Sequence, residues 1–269
     1  MKPNSFESIE ANVPTKTGTV RISYLSCSAL KARGFQNAFS TRMGGVSPMP
    51  QDSLHLSPKN DSAENYSENL RRFLAAIGTP DWDLTTANQI HSDIRLTPEE
   101  DDAREGDALL SQNRGTLIGI KTADCGPILI GDPKTGMMAA VHAGWKGTLG
   151  RIVEKTIADL NEKFRVDPKS CVAAIGPSAC GKCYEVGPEV AEQFRNEFRA
   201  WDEFMKLEPE KEKANLDVAS ANRRQLLEAG LLAANIHLSS QCTMHQNELY
   251  FSHRREHGHG RLLSVIGKI

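Results

Sequence analysis

Apolar residues recur along this chain in short runs broken by glycine and proline, and their period changes from segment to segment. In 62–77, Leu70, Phe73, Leu74 and Ile77 follow three- and four-residue spacing, which predicts a helix. The runs TVRISYL (19–25) and FQNAFST (35–41) predict strands, the second ending in the glycine turn RMGGVSP. Segment 42–60 has little periodicity and is rich in Gly, Pro and Ser, so it is expected to be a loop, either ordered for function or mobile. TLIGIKTAD (116–124) predicts a buried strand. GPILIGDP follows, with Pro133 and Gly136 marking a hairpin turn, and MMAAVHAG (137–144) is the returning strand. After the turn Trp145–Gly147, a helix is predicted over 148–164 with Ile152, Val153, Ile157 and Leu160 on one face. VAAIGPS, IHLSS and RLLSVIGKI supply further strands, and 188–198 and 218–230 further helices, the second closed by Gly230. Strands therefore come both as hairpins and beside helices. The fold class expected is α+β, with layered mixed β-sheets flanked by helices.

A chain of 269 residues is long for one domain, yet a single domain can hold it, and one is expected over 1–269 with 1–17 as a loosely attached leader. The net charge of −2 provides no global basic field to draw the protein to nucleic acid. No apolar stretch reaches the roughly 20 residues of a membrane helix. The N-terminus has no apolar signal segment either, so a cytoplasmic protein is expected. Without an export signal, the six cysteines are expected to be free thiols. Cys180 and Cys183 form one C-x-x-C with no second pair and no thioredoxin-like strand–helix context, a weak zinc or redox signal. Nothing resembles a coiled-coil heptad or a long apolar edge, and a monomer is expected.

Candidate chemistry concentrates in NQIHSD with His91, KTADCGP with Cys125 and AVHAGWKG with His142. Two imidazoles and a thiolate suit a zinc or copper centre that keeps an open coordination position. The same three residues also suit a cysteine nucleophile assisted by histidine. Taken singly, His142 reads equally well as a hydrogen-bonded strand terminus, and Cys125 as an inert core thiol. His91 lies among Asn88, Gln89, Ser92 and Asp93, whose polar groups can orient an imidazole.

Taken together, FSTRMGGVS, NQIHSD, KTADCGPILI, AVHAGWKG, NLDVASANRRQL and YFSHRREHGHGRLLSVI resemble, in this order, the YfiH-like or multicopper-polyphenol-oxidase (laccase-domain) family. The resemblance runs from about residue 35 to the C-terminus. It implies a His-Cys-His metal site at His91, Cys125 and His142, holding zinc or copper. It also implies a layered α/β fold related to the cytotoxic-necrotizing-factor-like cysteine hydrolases. The implied activity is phosphorolysis of purine nucleosides (adenosine, inosine, guanosine and S-methyl-5′-thioadenosine) with adenosine deaminase as a side activity. Two alternatives accompany the family: a Cys-His hydrolase acting on a peptidoglycan-precursor amide, and a copper-dependent polyphenol oxidase.

Each reaction makes its own demands. A three-ligand zinc lowers the pKa of water at its open position to ~7, which suits attack on C6 of adenine if a carboxylate shuttles the proton. Asp124 adjoins Cys125, but neighbouring strand residues face opposite ways, so Asp124 and Gln89 are expected behind the ligands rather than as the shuttle. Phosphorolysis needs cations beside the ribose, and Arg42 and Lys146 are the expected phosphate ligands, with Ser40 as a possible ligand contact or simply the end of its strand. A multicopper oxidase needs many imidazoles, and 8 histidines leave few to spare; His253, His257 and His259 read as a polar loop before the last strand. The chain departs from the family pattern at His55, where asparagine is common, and at Lys182 beside Cys183.

Overall fold

The apolar runs fold into two six-stranded mixed sheets packed face to face, in a computed structural model that describes residues 5–48, 53–98, 104–208, 210, 212–258 and 260–269. The first sheet orders β1 (Phe6–Thr15), β2 (Gly18–Cys27), β3 (Phe35–Ser40), β15 (Leu262–Lys268), β7 (Thr116–Thr122) and β4 (Asp83–Thr86). The second orders β14 (Ile236–Leu238), β10 (Val172–Ile175), β8 (Gly126–Gly131), β9 (Met138–Ala143), β6 (Ala108–Ser111) and β5 (Arg95–Leu96). A small third sheet joins β11 (Glu185–Val186), β13 (Lys213–Leu216) and β12 (Met205–Glu208). The helices are α1 (Ser28–Lys31), α2 (Ala63–Ala76), α3 (Trp145–Leu149), α4 (Ile152–Phe164), α5 (Pro188–Glu197), α6 (Val218–Glu228) and α7 (His253–Glu256). None of the described helices is long and apolar enough to cross a membrane.

Successive side chains on a strand face opposite ways, and the central strands are buried on both faces, which is why they read as continuous apolar runs. Between the sheets, Phe35, Phe39, Ile118, Ile120 and Ile266 meet Leu109, Leu129, Met138 and Ala140. On the outer face of the second sheet, Ile128, Ile130, Ala139 and Val141 lie under Ile152, Val153, Ile157 and Leu160 of α4 and Leu226 of α6. On the outer face of the first sheet, Leu117, Leu263 and Val265 lie under Phe73, Leu74 and Ile77 at α2. The order of layers is helix, sheet, sheet, helix.

Two expectations are corrected, and a third that stood open, at 42–60, is decided. The leader is not loose from residue 5 onward: β1 pairs with β2 along its whole length, from Phe6↔Cys27 to Thr15↔Gly18. Ile9, Ala11 and Val13 alternate with the exposed Glu10 and Asn12, a period-two signal that weak hydrophobicity and Pro14 obscure. The helix expected over 148–164 is two helices, α3 and α4, parted by Arg151 in the left-handed conformation at φ 58°. Its guanidinium is held by Glu154 at 2.7 Å and Glu197 at 2.5 Å and lies over the Phe198 ring. The described part of 42–60 is ordered, and Asn69 of α2 is the reason. Its amide accepts from Val46 N at 2.9 Å and donates to Ser47 Oγ at 2.7 Å and to the His55 carbonyl at 3.0 Å.

Asn69 is fully buried, so its loss takes the acceptor from the Val46 N–H and removes donors from Ser47 Oγ and the His55 carbonyl. We expect Asn69→Ala to destabilise the protein by about 2–4 kcal/mol, read as a lowered urea midpoint with an unchanged slope.

Candidate active site

The chain passes from the first sheet to the second through the link 123–125, between β7 and β8, and Cys125 ends that link. Asp124 makes the tight crossing possible by adopting φ 81°, and its carboxylate turns away from Cys125. It accepts from Thr243 Oγ1 at 2.6 Å, Ser252 Oγ at 3.0 Å and the Arg254 backbone N–H at 2.7 Å. His142 stands on the neighbouring strand, β9, opposite Pro127. His91 comes from the loop between β4 and β5. The three ligand atoms of His91, Cys125 and His142 lie within 4.8 Å of one another, and the two imidazoles meet edge to face at 4.9 Å.

A fourth residue organises this trio. Asp107, fully buried just before β6, accepts from His142 Nδ1 at 2.7 Å and from Ser92 Oγ at 2.7 Å. It also accepts the backbone N–H groups of Ile90, His91 and Ser92, the last at 2.6 Å. That nest of peptide donors holds His91 in the left-handed region at φ 59°. With Nδ1 occupied by Asp107, His142 keeps Nε2 for Cys125. Gln89 fastens the same loop to β7, donating to the Lys121 carbonyl at 2.7 Å and accepting from Lys121 N at 2.8 Å. The glycines of HAGWKG let these parts close up. A Cβ on Gly144 would sit 3.0 Å from Cys125 Sγ, and one on Gly147 would sit 2.9 Å from the Ser92 carbonyl.

The electrostatics of the cluster are coupled. Burial alone would push the Cys125 thiol up, but the His142 and His91 imidazoles beside it bring it down to about 6. Burial would lower His142, yet the Cys125 thiolate and the Asp107 carboxylate raise it to about 9. Asp107, against its own burial, is held at about 2 by His142 and the Ser92 donors. The cluster thus settles as carboxylate, imidazolium and thiolate in a row. The donor set, two imidazoles and a thiolate on one side of a cavity, is one that can hold a metal ion.

His91, Cys125 and His142 open into a cavity of about 510 Å³ whose wall also carries Lys59, Lys121, His253 and Arg261. Among the described residues lining it there is no aspartate or glutamate. Burial lowers the pKa of Lys121, and Lys59 nearby adds to the effect. The Lys59 ammonium donates to Asn88 Oδ1 at 3.3 Å, and Arg261 donates to the Gly260 carbonyl at 2.8 Å.

Of the cations expected at the cavity, neither lines it. Arg42 is 7% exposed and is held by Glu256 at 2.6 Å and the Asn247 carbonyl at 2.6 Å, with its guanidinium over Phe251. It pins the end of β3 to the C-terminal segment. Lys146 is exposed on the first turn of α3, over the Trp145 ring. Ser40 is buried and accepts the Leu263 N–H at 2.9 Å, so its hydroxyl serves the sheet. His55 bridges the Lys59 carbonyl and the Arg261 N–H, each at 2.9 Å. His259 lies outside the described residues. Asp107, Lys59, Lys121 and Arg261 went unread in the sequence, although an acid opening the apolar ALLS and a lysine within TLIGIKT are both anomalies in buried strands.

A family described as multi-copper polyphenol oxidoreductase laccase matches residues 36–268. A protein named purine nucleoside phosphorylase from Deinococcus radiodurans is 39% identical over 232 residues, covering 86% of this chain and 88% of the relative. One named adenosine deaminase RL5, from an unknown prokaryotic organism, is 40% identical over 159 residues, 58% of this chain and 60% of its own. The crystal structure of YlmD from Geobacillus stearothermophilus superposes with a TM-score of 0.84 at 28% identity, covering 97% of this chain and 99% of that one.

A thiol held at about 6 is a thiolate at neutral pH and loses that character only as the pH falls through 6. In chelator-treated protein, iodoacetamide labelling of the Cys125 peptide, followed by mass spectrometry, is expected to rise with a midpoint near 6 rather than near the usual 9. Asp107→Asn removes the charge that favours the imidazolium, and the midpoint is then expected to move up.

Proposed function

The chain belongs to the multi-copper polyphenol oxidoreductase laccase family, and on that premise we propose that it is a metal-dependent purine nucleoside phosphorylase. Adenosine, inosine, guanosine and S-methyl-5′-thioadenosine are its substrates. The observation that carries this reading is the cavity wall: Lys59, Lys121 and Arg261 face the trio's cavity, and none of its described lining residues carries a carboxylate. Such a wall favours an anion the size of phosphate over a second carboxylate-dependent chemistry.

In phosphorolysis a phosphate oxygen forms a bond to C1′ as the bond from C1′ to the purine breaks, and the departing base takes up a proton. Arg261 offers a planar fork of donors, and Lys59 and Lys121 act as point charges that aim the anion. A bound phosphate also relieves the burial and like-charge repulsion that depress Lys121. His253 Nδ1 donates to the Gly258 carbonyl at 3.4 Å, and the proton that the departing base takes up comes from the attacking dihydrogen phosphate. His91, Cys125 and His142 would hold zinc, with copper as the alternative; when bound, the metal supplies a Lewis acid with an open coordination position. Asp107 fixes the tautomer of His142 for that role. Adenosine deamination is the lesser activity in this reading, because Asp107 and Asp124 both have their oxygens engaged and neither lines the cavity as a proton shuttle. Polyphenol oxidation by several coppers would need more imidazoles than the three, His91, His142 and His253, found among the described lining residues.

One observation favours a second reading. Cys125, His142 and Asp107 stand in the order nucleophile, base and orienting carboxylate, which suits a hydrolase acting on a cell-wall-precursor amide. The two readings separate cleanly. A phosphorylase loses activity with the metal and requires phosphate. A hydrolase works metal-free, ignores phosphate and is killed by iodoacetamide.

Losing one charge-assisted contact to phosphate costs about 1.5–3 kcal/mol, or roughly 10–100-fold. Lys121→Ala and Arg261→Ala are each expected to raise the KM for phosphate by about that factor while leaving the KM for inosine nearly unchanged. Base release at the same rate in phosphate-free buffer would sink the proposal.

A further inference from the structure

Two loops leave the second sheet side by side, because β10 and β14 are parallel neighbours. The first carries Cys180 and Cys183, and the second carries Cys242 and His245. Ser178 and Cys242 form a bridge between the loops, and Thr243 N donates to the Ser178 carbonyl at 3.1 Å. The bridge sets the two ligand pairs in register: Cys180 meets Cys242 and Cys183 meets His245, each pair 62 residues apart. The four ligand atoms all lie within 4.8 Å of one another, and Cys183 Sγ is 3.0 Å from His245 Nε2. Ligand atoms around a tetrahedral zinc stand about 3.5–3.8 Å apart, given bonds of roughly 2.3 Å to sulfur and 2.0–2.1 Å to nitrogen.

The backbone is shaped for the same purpose. Each pair closes a tight turn, with Cys183 N donating to the Cys180 carbonyl at 2.9 Å and Gln246 N to the Cys242 carbonyl at 3.0 Å. The Cys180 backbone N–H donates to the Cys242 sulfur at 3.3 Å, which ties the two turns together at the ligand itself. Gly181 is required in the first turn, because a Cβ there would lie 2.7 Å from Asp217 Cβ. Cys242 is buried, Cys180 and Cys183 are half-buried and His245 is exposed, so the cluster has an inner anchor and an open side through which an ion can enter.

We propose that Cys180, Cys183, Cys242 and His245 form a second metal site, a structural zinc centre separate from the His91–Cys125–His142 trio. Three thiolates and an imidazole complete a tetrahedral shell and leave no open position, which makes the site a staple rather than a catalyst. What it staples is the floor of the trio. Thr243, between two of the ligands, donates to Asp124 Oδ1, and Ala179, beside Cys180, donates its N–H to the Asp124 carbonyl at 2.9 Å. Tyr184, beside Cys183, lies under Arg254, whose N–H donates to Asp124 Oδ2. Asp124 in turn sets the link that ends in Cys125. The proposal does not depend on which reaction the cavity performs.

The test is metal analysis of full-length protein grown with zinc and dialysed. Two zinc ions per chain are expected in the wild type, one in Cys125→Ala and one in Cys183→Ser. Loading Cys125→Ala with cobalt isolates the second site, which is expected to show tetrahedral visible bands and a near-ultraviolet thiolate-to-cobalt band. If Cys183→Ser fails to fold, His245→Ala replaces it: the residue is exposed, and the variant is expected to keep its circular dichroism while releasing zinc to a chelator at least tenfold faster. Metal-free Cys125→Ala, no thiolate band on cobalt loading, or an oxidised Cys180–Cys183 pair in the purified protein would each overturn the assignment.

Discussion

A buried carboxylate organises this protein. Taking Asp107 out of water costs several kcal/mol, which only close donors can offset. The chain supplies them from two elements, the imidazole of His142 on β9 and the turn from Ile90 to Ser92. The same bonds that make the carboxylate tolerable therefore fix the relative position of His142 and His91. They also explain the left-handed backbone at His91, a conformation that costs a non-glycine residue about 1–3 kcal/mol unless its surroundings dictate it.

Cys125 is delivered independently, on the link by which the chain changes sheets. That link is stiff because Asp124 is tied at both carboxylate oxygens and at its carbonyl, to the loops after β10 and β14 and to the segment entering α7. Each member of the trio thus stands on a different element, and each element is locked by polar bonds away from the cavity. This division leaves the facing atoms free for a ligand and keeps them pre-positioned without one.

Much of this was legible in the sequence where the signal is local. Both-face burial writes itself as the apolar runs of β7, β8 and β9, and one-face burial as the spacing in α2, α4 and α6. The trio could be found because small residues crowd around its members, and Gly144 and Gly147 turn out to be small for steric reasons. What escaped was long-range. Arg42 finds Asn247 across 205 residues, and nothing in the spacing of FSTRMGG foretells that it belongs to the C-terminal segment and not to the cavity. The C-x-x-C at 180–183 looked solitary because its partner, the C-x-x-H at 242–245, is brought beside it only by the parallel pairing of β10 with β14.

The lowered thiol and raised imidazole also bear on how one cluster can serve two chemistries. A thiolate is both the better nucleophile and the better metal ligand, so the electrostatics of Cys125 favour either use. His142 is different. Its burial opposes the proton, but Cys125 and Asp107 hold the proton until about pH 9, and a metal must displace it to bind Nε2. Asp107 therefore has opposing effects. It orients the ring for a metal, yet stabilises the protonated state that competes with one. Metal occupancy at this trio should accordingly fall as the solution is acidified, and between about pH 9 and 6 the metal-free trio holds a thiolate beside an imidazolium, until the thiol regains its proton below 6. A metal and a proton would compete for the same nitrogen, so Asp107 sets the pH at which the trio is free to take one.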